Sequence, residues 1–399
     1  MRSNKKLIQF FKNNFGLVRC IFLTLFDGLC FFSNSQISKR SKGKILFVKL
    51  DAIGDFILWL NAAKKCRELF PKGEHKITLL GNHAWISLAE KIPYFDELWP
   101  LDRHKFLENI AYRFKVLKKI RQAGFDTVIQ PVFSREFLFG DAIVRICGAK
   151  ERIGSQGDYS NIKPWQKRIS DRWYTRLIPA TKEPLMELER NAEFMRGLGL
   201  TEFRAGVPEL PVSNSPPVDM NVKDYYVLFP GAGLRLKQWS LSNFKELADL
   251  IYRATGWVGV ICGERREESL GKILERDMDI PLQNWVGRTS LQELIAIIAK
   301  AHLLVGNDTS AIHIASAVST PSICILGGGH YGRFMPYRLE TETKKPLPRA
   351  VIHKMDCFGC NWHCIYDIPK SNAAPCVEKI SVNVVWNSVV KILKGRNLL

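Results

Sequence analysis

Short apolar runs recur along this chain, each too brief for a helix and each followed by a polar or glycine-containing loop and then a stretch of helical spacing. Ile45-Leu46-Phe47-Val48 is the first. The loop Asp51-Ala52-Ile53-Gly54-Asp55 follows it, and from Phe56 to Leu69 the residues Ile57, Leu60, Ala63 and Leu69 can share one helical face. A strand without polar alternation is covered on both faces, which points to the interior of a parallel sheet. The same alternation predicts strands at 77–80 and 127–129 with helices at 85–91, 106–123 and 137–147. A second series has strands at 225–229, 258–262, 303–305 and 322–326 with helices at 244–253, 291–301 and 311–317. Strands separated by helices mean βαβ units and an α/β fold of parallel sheets.

Between the two series, residues 206–224 hold Pro208, Pro211, Pro216 and Pro217 among Ser and Asn, the composition of a linker. The expected organisation is therefore a domain over 43–205 and another over 225–399, and 399 residues suffice for two cores. Charge is divided unevenly. Of the net +19, residues 1–176 carry +16 and the rest +3, so one half is suited to an acidic partner. In the segment 1–42, the first 40 residues combine Phe10, Phe11, Phe15, Phe22, Phe26, Phe31 and Phe32 with seven basic side chains. Arg19 and Asp27 interrupt the apolar stretch short of the about 20 residues a spanning helix needs. A segment lying in a membrane interface is the expectation, with a helix capping a core as the alternative.

In open α/β sheets ligands bind beyond the carboxyl ends of the strands, where loops meet helix N-termini. That rule selects five loops. In the first, Asp55 starts a helix, either capping it or facing a cleft. The second, Pro230-Gly231-Ala232-Gly233-Leu234-Arg235-Leu236-Lys237, offers two glycines for close backbone approach to a phosphate, or a plain turn, and Lys237 adds a mobile charge. It matches neither the dinucleotide fingerprint nor the P-loop. The third, Gly263 to Glu268, holds carboxylates that are either solvated or aimed at a ribose diol. The fourth passes from a strand through Asn307-Asp308-Thr309-Ser310 into a helix carrying His313, a seat for a diphosphate on the helix's positive end. His313 is either part of that site or a hydrogen-bonded core histidine. The fifth is Gly327-Gly328-Gly329-His330-Tyr331-Gly332-Arg333.

Six of the ten cysteines lie in apolar stretches and behave as small hydrophobes. The other four, Cys357, Cys360, Cys364 and Cys376, run C-x2-C-x3-C-x11-C, the pattern of a tetrahedral thiolate site for structural zinc or iron. Free thiols and disulfides are the alternatives. No nucleic-acid motif accompanies the basic charge.

Taken together, Ile45 to Asp55 and Val305 to His313, with the Thr320-Pro321 strand entry that follows, resemble glycosyltransferase family nine, the lipopolysaccharide heptosyltransferases, over roughly residues 43–390. The resemblance implies GT-B architecture, two Rossmann-like parallel-sheet domains facing across a cleft, with the acceptor on the N-terminal side. It makes Asp55 the general base of an inverting, metal-independent transfer. It makes Lys237 a diphosphate ligand, places Asp308, Thr309 and His313 in the donor site and matches Glu267 to a ribose-binding acid; Gly231, Gly233, Ser310 and Gly327 join them as donor-binding residues from the reading of the loops. Ser310 stands where the family usually has Gly, and Gly327-Gly328-Gly329 where it usually has Gly-Pro-Thr. The implied partners are a nucleotide-diphosphate sugar, expected to be ADP-heptose, and an anionic membrane-associated glycan, with no nucleic acid. The implied location is the cytoplasmic face of the bacterial inner membrane, and no cofactor is expected for catalysis. A sugar-nucleotide epimerase and a non-catalytic sugar-nucleotide or lipid-binding module are the competing functions.

Overall fold

The computed structural model describes residues 17–29, 43–212, 220–340 and 342–398. By contact the chain forms two compact units. The first comprises Met1–Ala52, Lys65–Thr181 and Glu193–Thr201, and the second Ile53–Lys64, Lys182–Ala192 and Glu202–Leu399. Residues 213–219, the middle of the proline-rich stretch, lie outside the described residues.

The first unit holds strands β1 (Lys44–Lys49), β2 (Lys76–Asn82), β3 (Glu97–Leu101), β4 (Thr127–Gln130), β5 (Glu151–Ser155) and β6 (Arg176–Ile178), ordered β3-β2-β1-β4-β5-β6. All its pairings are parallel, with Phe47 opposite Leu79 on one side and Ile129 on the other. The second unit repeats the order. Its strands β7 (Tyr225–Phe229), β8 (Val258–Ile261), β9 (Leu282–Asn284), β10 (Leu303–Asn307), β11 (Ser322–Ile325) and β12 (Arg349–Val351) run β12-β11-β10-β7-β8-β9. Both sheets are doubly wound in the Rossmann order, and the α/β, GT-B class expected from the sequence is the class observed. In each, strand order reverses between the first and fourth strands, and that switch point is where ligands bind.

Five strands escaped the sequence reading: β3, β5, β6, β9 and β12. Four of them are sheet edges, three to five residues long and carrying Glu, Gln or Arg, so they lack the continuous apolar run of an interior strand. Pro100 within β3 is tolerated for the same reason. The helix expected over 106–123 is two helices, Arg103–Glu108 and Ile110–Gln122, because the Asn109 side chain accepts from Tyr112 N and starts a new one. The helix expected over 85–91 is the single turn Ile86–Ala89, and that over 56–69 breaks into Ile53–Lys64 and Cys66–Leu69.

Residues 17–29 are helical, and this helix turns its charges inward. Asp27 meets Arg113 through Nε–Oδ1 and Nη2–Oδ2 contacts of 2.6 and 2.5 Å, both side chains fully buried, and Arg19 donates to Leu107 O at 2.7 Å. Val18, Ile21, Phe22, Leu25 and Leu29 are exposed instead, Leu25 at 69%. Among the described residues no helix is long and apolar enough to cross a membrane.

Candidate active site

At the switch point of the second sheet, the loops after β7 and β10 are fastened by a residue that sequence reasoning passed over. Asn307 ends β10 fully buried. Its Nδ2 donates to Pro230 O at 2.7 Å and its Oδ1 accepts from Trp239 N at 3.0 Å, so one amide holds both ends of the glycine loop. Its only signal in the sequence is a polar residue closing an apolar run. The clamp sets Lys237, in a 3-10 turn, against Asp308: Nζ to Oδ2 is 2.8 Å. Burial alone would raise the Asp308 carboxyl, yet the Lys237 ammonium beside it holds it below the usual carboxylate range.

Thr309 occupies the N-cap of the helix Ser310–Ala317 without capping it. Its hydroxyl is buried and has no partner, which leaves the helix's first amides open to a ligand. Every residue from Ala311 to Ala317 is buried, and His313 among them contacts Tyr337 through Nδ1 at 3.0 Å. Burial drives its pKa down to about 4, so the ring is neutral near pH 7. Its Cδ2 edge packs on Gly54, where a β-carbon would come within 3.1 Å. The structure thereby brings the first turn of Ile53–Lys64, which carries half-buried Asp55, to the helix that carries His313. Asp55, Lys237, Asp308, Thr309, Ser310 and His313 all lie on two loops and two packed helices of one unit.

Glu267 has a different neighbourhood. Its carboxylate accepts from Glu264 N at 2.8 Å and fills the space beside Gly231 and Gly263, where a side chain would collide with it. Burial raises its pKa, with backbone donors opposing. Gly233 has no such neighbour within contact distance apart from the tip of Arg266. Gly327 is covered by Trp362 and Val377.

The four cysteines Cys357, Cys360, Cys364 and Cys376 are free and line one cavity with Trp362 and Gly328. Burial, then the three neighbouring thiols, push the Cys376 thiol up, against the Gly328 N–H it accepts at 3.3 Å. Among the described residues no group of three or more His, Cys, Asp or Glu side chains is drawn into a metal-holding arrangement.

In the first unit the loop after β1 is also fastened. Asn82, Trp85 and Arg103 donate to the carbonyls of Leu50 and Asp51 at 2.9–3.3 Å, and Arg103 forks onto Glu136 at 2.8 and 2.9 Å. Lys49, fully buried, pairs with Asp51 at 2.7 Å.

The sequence profile of glycosyltransferase family 9 (heptosyltransferase) matches residues 113–345, more than half of the chain. The protein belongs to glycosyltransferase family 9. Lipopolysaccharide heptosyltransferase 3 of Escherichia coli K12 is 23% identical over 71% of this chain and 82% of its own. Among solved structures, E. coli ADP-heptose lps heptosyltransferase II superposes with a TM-score of 0.65 at 17% identity, over 89% of this chain and 99% of that one. E. coli heptosyltransferase WaaC with ADP-2-deoxy-2-fluoro heptose gives 0.60 at 15%, over 87% and 99%. The protein is thus a glycosyltransferase, and the epimerase and binding-module alternatives fall away.

Proposed function

We propose that this glycosyltransferase moves a heptose from ADP-heptose to the core of a membrane-associated, lipopolysaccharide-type glycan, by inversion and without a catalytic metal. The observation that carries the reading is the seat at the second switch point: an ammonium, a carboxylate it keeps ionised, and a helix N-terminus whose cap hydroxyl is unused. The ammonium and the helix N-terminus suit a diphosphate, and the carboxylate suits the hydroxyls of the sugar it carries. The relatives' names and the WaaC complex with an ADP-heptose analogue support the donor class and the sugar. In this reading Asp55 takes the proton of an acceptor hydroxyl as that oxygen bonds to the anomeric carbon, and the carbon–oxygen bond to the diphosphate breaks on the opposite face. Lys237 and the amides at the start of Ser310–Ala317 stabilise the charge that the leaving diphosphate gains. Gly231 and Gly233 keep that loop's backbone close, and Glu267, Asp308, His313 and Gly327 complete the donor site.

Asp55→Asn should lower turnover by at least about 100-fold while leaving ADP affinity, measured by calorimetry, within about twofold. Near-wild-type turnover removes Asp55 from the role.

The acceptor side is read from charge and from the helix at 17–29. Its exposed apolar face, in a half of the chain whose sequence carries a net +16, suits the interface of an anionic bilayer, and with it a peripheral position on the inner membrane's cytoplasmic face. The Cys357–Cys376 cluster suits a structural zinc or iron, its four thiols lining one cavity. Bound there, the ion would tie the knuckle together and take no part in transfer. Elemental analysis of protein purified without added metal should find close to one ion per chain, and under roughly a tenth would overturn the site.

A further inference from the structure

The cysteine-rich segment does more than sit near the last sheet strands. It lies flush on the triglycine loop: Gly359 N donates to Gly328 O at 2.8 Å and Asn361 N to Gly329 O at 2.9 Å. The Phe358 ring occupies the space a side chain on Gly328 would need, and the Trp362 ring the space of side chains on Gly327 and Gly329. Asn361 and Trp362 both take left-handed backbone at φ 50 and 61°, a conformation non-glycine residues hold only where their surroundings enforce it. The Lys237 ammonium stands over the Trp362 ring at 5.1 Å, and His330 meets that ring edge-to-face while its Nε2 contacts Asn361 Oδ1 at 2.6 Å. His330 also lies within the fields of Lys237 and Asp308. Two further polar atoms here are shut off from solvent and unpartnered, Trp362 Nε1 and His330 Nδ1. Native structures rarely leave such atoms without a partner, and at a ligand site the ligand supplies it.

We propose that Trp362 and His330 form a sugar subsite of the donor pocket, in which Trp362 Nε1–H and His330 Nδ1 bond the hydroxyls of the sugar carried on the diphosphate, so that the cysteine-rich segment selects the sugar. This rests on the donor reading above and assigns to it a part outside the loops that hold the diphosphate.

The test is calorimetry of the full chain with ADP and with ADP-heptose, compared as a ratio of affinities. Trp362→Phe keeps the ring and removes the N–H. His330→Gln keeps an amide where Nε2 meets Asn361 and vacates Nδ1, and His330→Asn restores a polar atom near the Nδ1 position. Trp362→Phe and His330→Gln should each cut the preference for ADP-heptose over ADP roughly three- to tenfold, with ADP affinity within about twofold and with His330→Asn recovering part of the loss. A wild-type ratio in folded Trp362→Phe and His330→Gln, or a wild-type protein that binds both ligands equally, overturns the subsite alone. A wild-type protein that binds neither overturns the donor reading and the subsite together.

Discussion

Deleting the charge of Lys237 while keeping its chain, as Lys237→Met, isolates the electrostatics of the diphosphate seat. The pair it breaks is shielded: Nζ is 2.8 Å from Asp308 Oδ2, with side chains 15% and 6% exposed. Removing one partner from so buried a pair strands the other charge and costs about 3–5 kcal/mol, where an exposed pair would cost about 0–1. For a unit of this size, at about 2–4 °C per kcal/mol, the unit's melting temperature near pH 7.5 should fall by roughly 6–20 °C. The pH dependence has a definite sign. In the wild type Lys237 holds the Asp308 carboxyl below its usual value, so that carboxyl's contribution is complete above about 3.8 and is lost as pH falls through the lower folded value. Without Lys237, burial raises the carboxyl instead, and the variant regains stability as acid protonates it. The gap between the two proteins should therefore narrow from pH 7.5 to about 4.5, followed by scanning calorimetry. Lys237→Met/Asp308→Asn, which leaves no stranded charge, should recover more than half of the loss at pH 7.5. An equal loss at both pH values with no recovery in the double variant refutes the charge argument and leaves packing over Trp362 as the role of Lys237.

Three further outcomes follow from single contacts. His313 is held by burial at about 4 against about 6.5 in the unfolded chain, so its contribution is complete above about 6.5 and is lost towards pH 4, on the order of 3 kcal/mol in all; His313→Phe should flatten the melting-temperature profile there, and an unchanged slope counts against it. Gly231→Ala drives a methyl into the Glu267 carboxylate and should cost about 1–3 kcal/mol in urea unfolding, with partial rescue by Glu267→Ala; a neutral Gly231→Ala means the loop gives way freely. Val18→Ser/Phe22→Ser/Leu25→Ser should weaken binding to vesicles of anionic lipid at least about 100-fold, at about 1.5–3 kcal/mol per buried side chain, with far-UV circular dichroism unchanged, whereas wild-type binding by the triple variant would show that this face meets no bilayer.

The interior strands other than β5 were legible because a continuous apolar run has one comfortable place in a parallel sheet; β5, Glu-Arg-Ile-Gly-Ser, lacks such a run, and the edges Glu97–Leu101 and Arg349–Val351 read like any surface stretch. The five loops at the strands' carboxyl ends were legible too, but not their ranking. Only strand order shows that the loops after β7 and β10 flank a switch point, and order depends on pairings between residues more than 70 positions apart. Arg113 marks the same limit. Within its helix it looks like one more basic side chain on a solvated face, and only its partner 86 residues away explains why it is fully buried. Trp362, His330 and Asn307 stayed hidden as site residues because their neighbours come from separate segments.

The triglycine and the cysteine-rich segment are best understood as a single packed feature. Phe358 and Trp362 rest on Gly327-Gly328-Gly329 only because no side chain intervenes, and the Gly328 N–H that Cys376 Sγ accepts is one a proline lacks. Gly328→Pro therefore removes that hydrogen bond and drives the ring into Phe358 at one stroke. The segment should come loose from the loop, exposing the four thiols to a maleimide reagent several times faster than in the wild type, and the preference for ADP-heptose over ADP should fall with it because Trp362 no longer has its seat. If the thiols react at the wild-type rate in a folded Gly328→Pro protein, the segment is held by something other than the glycine loop, and the coupling of the two sequence features fails.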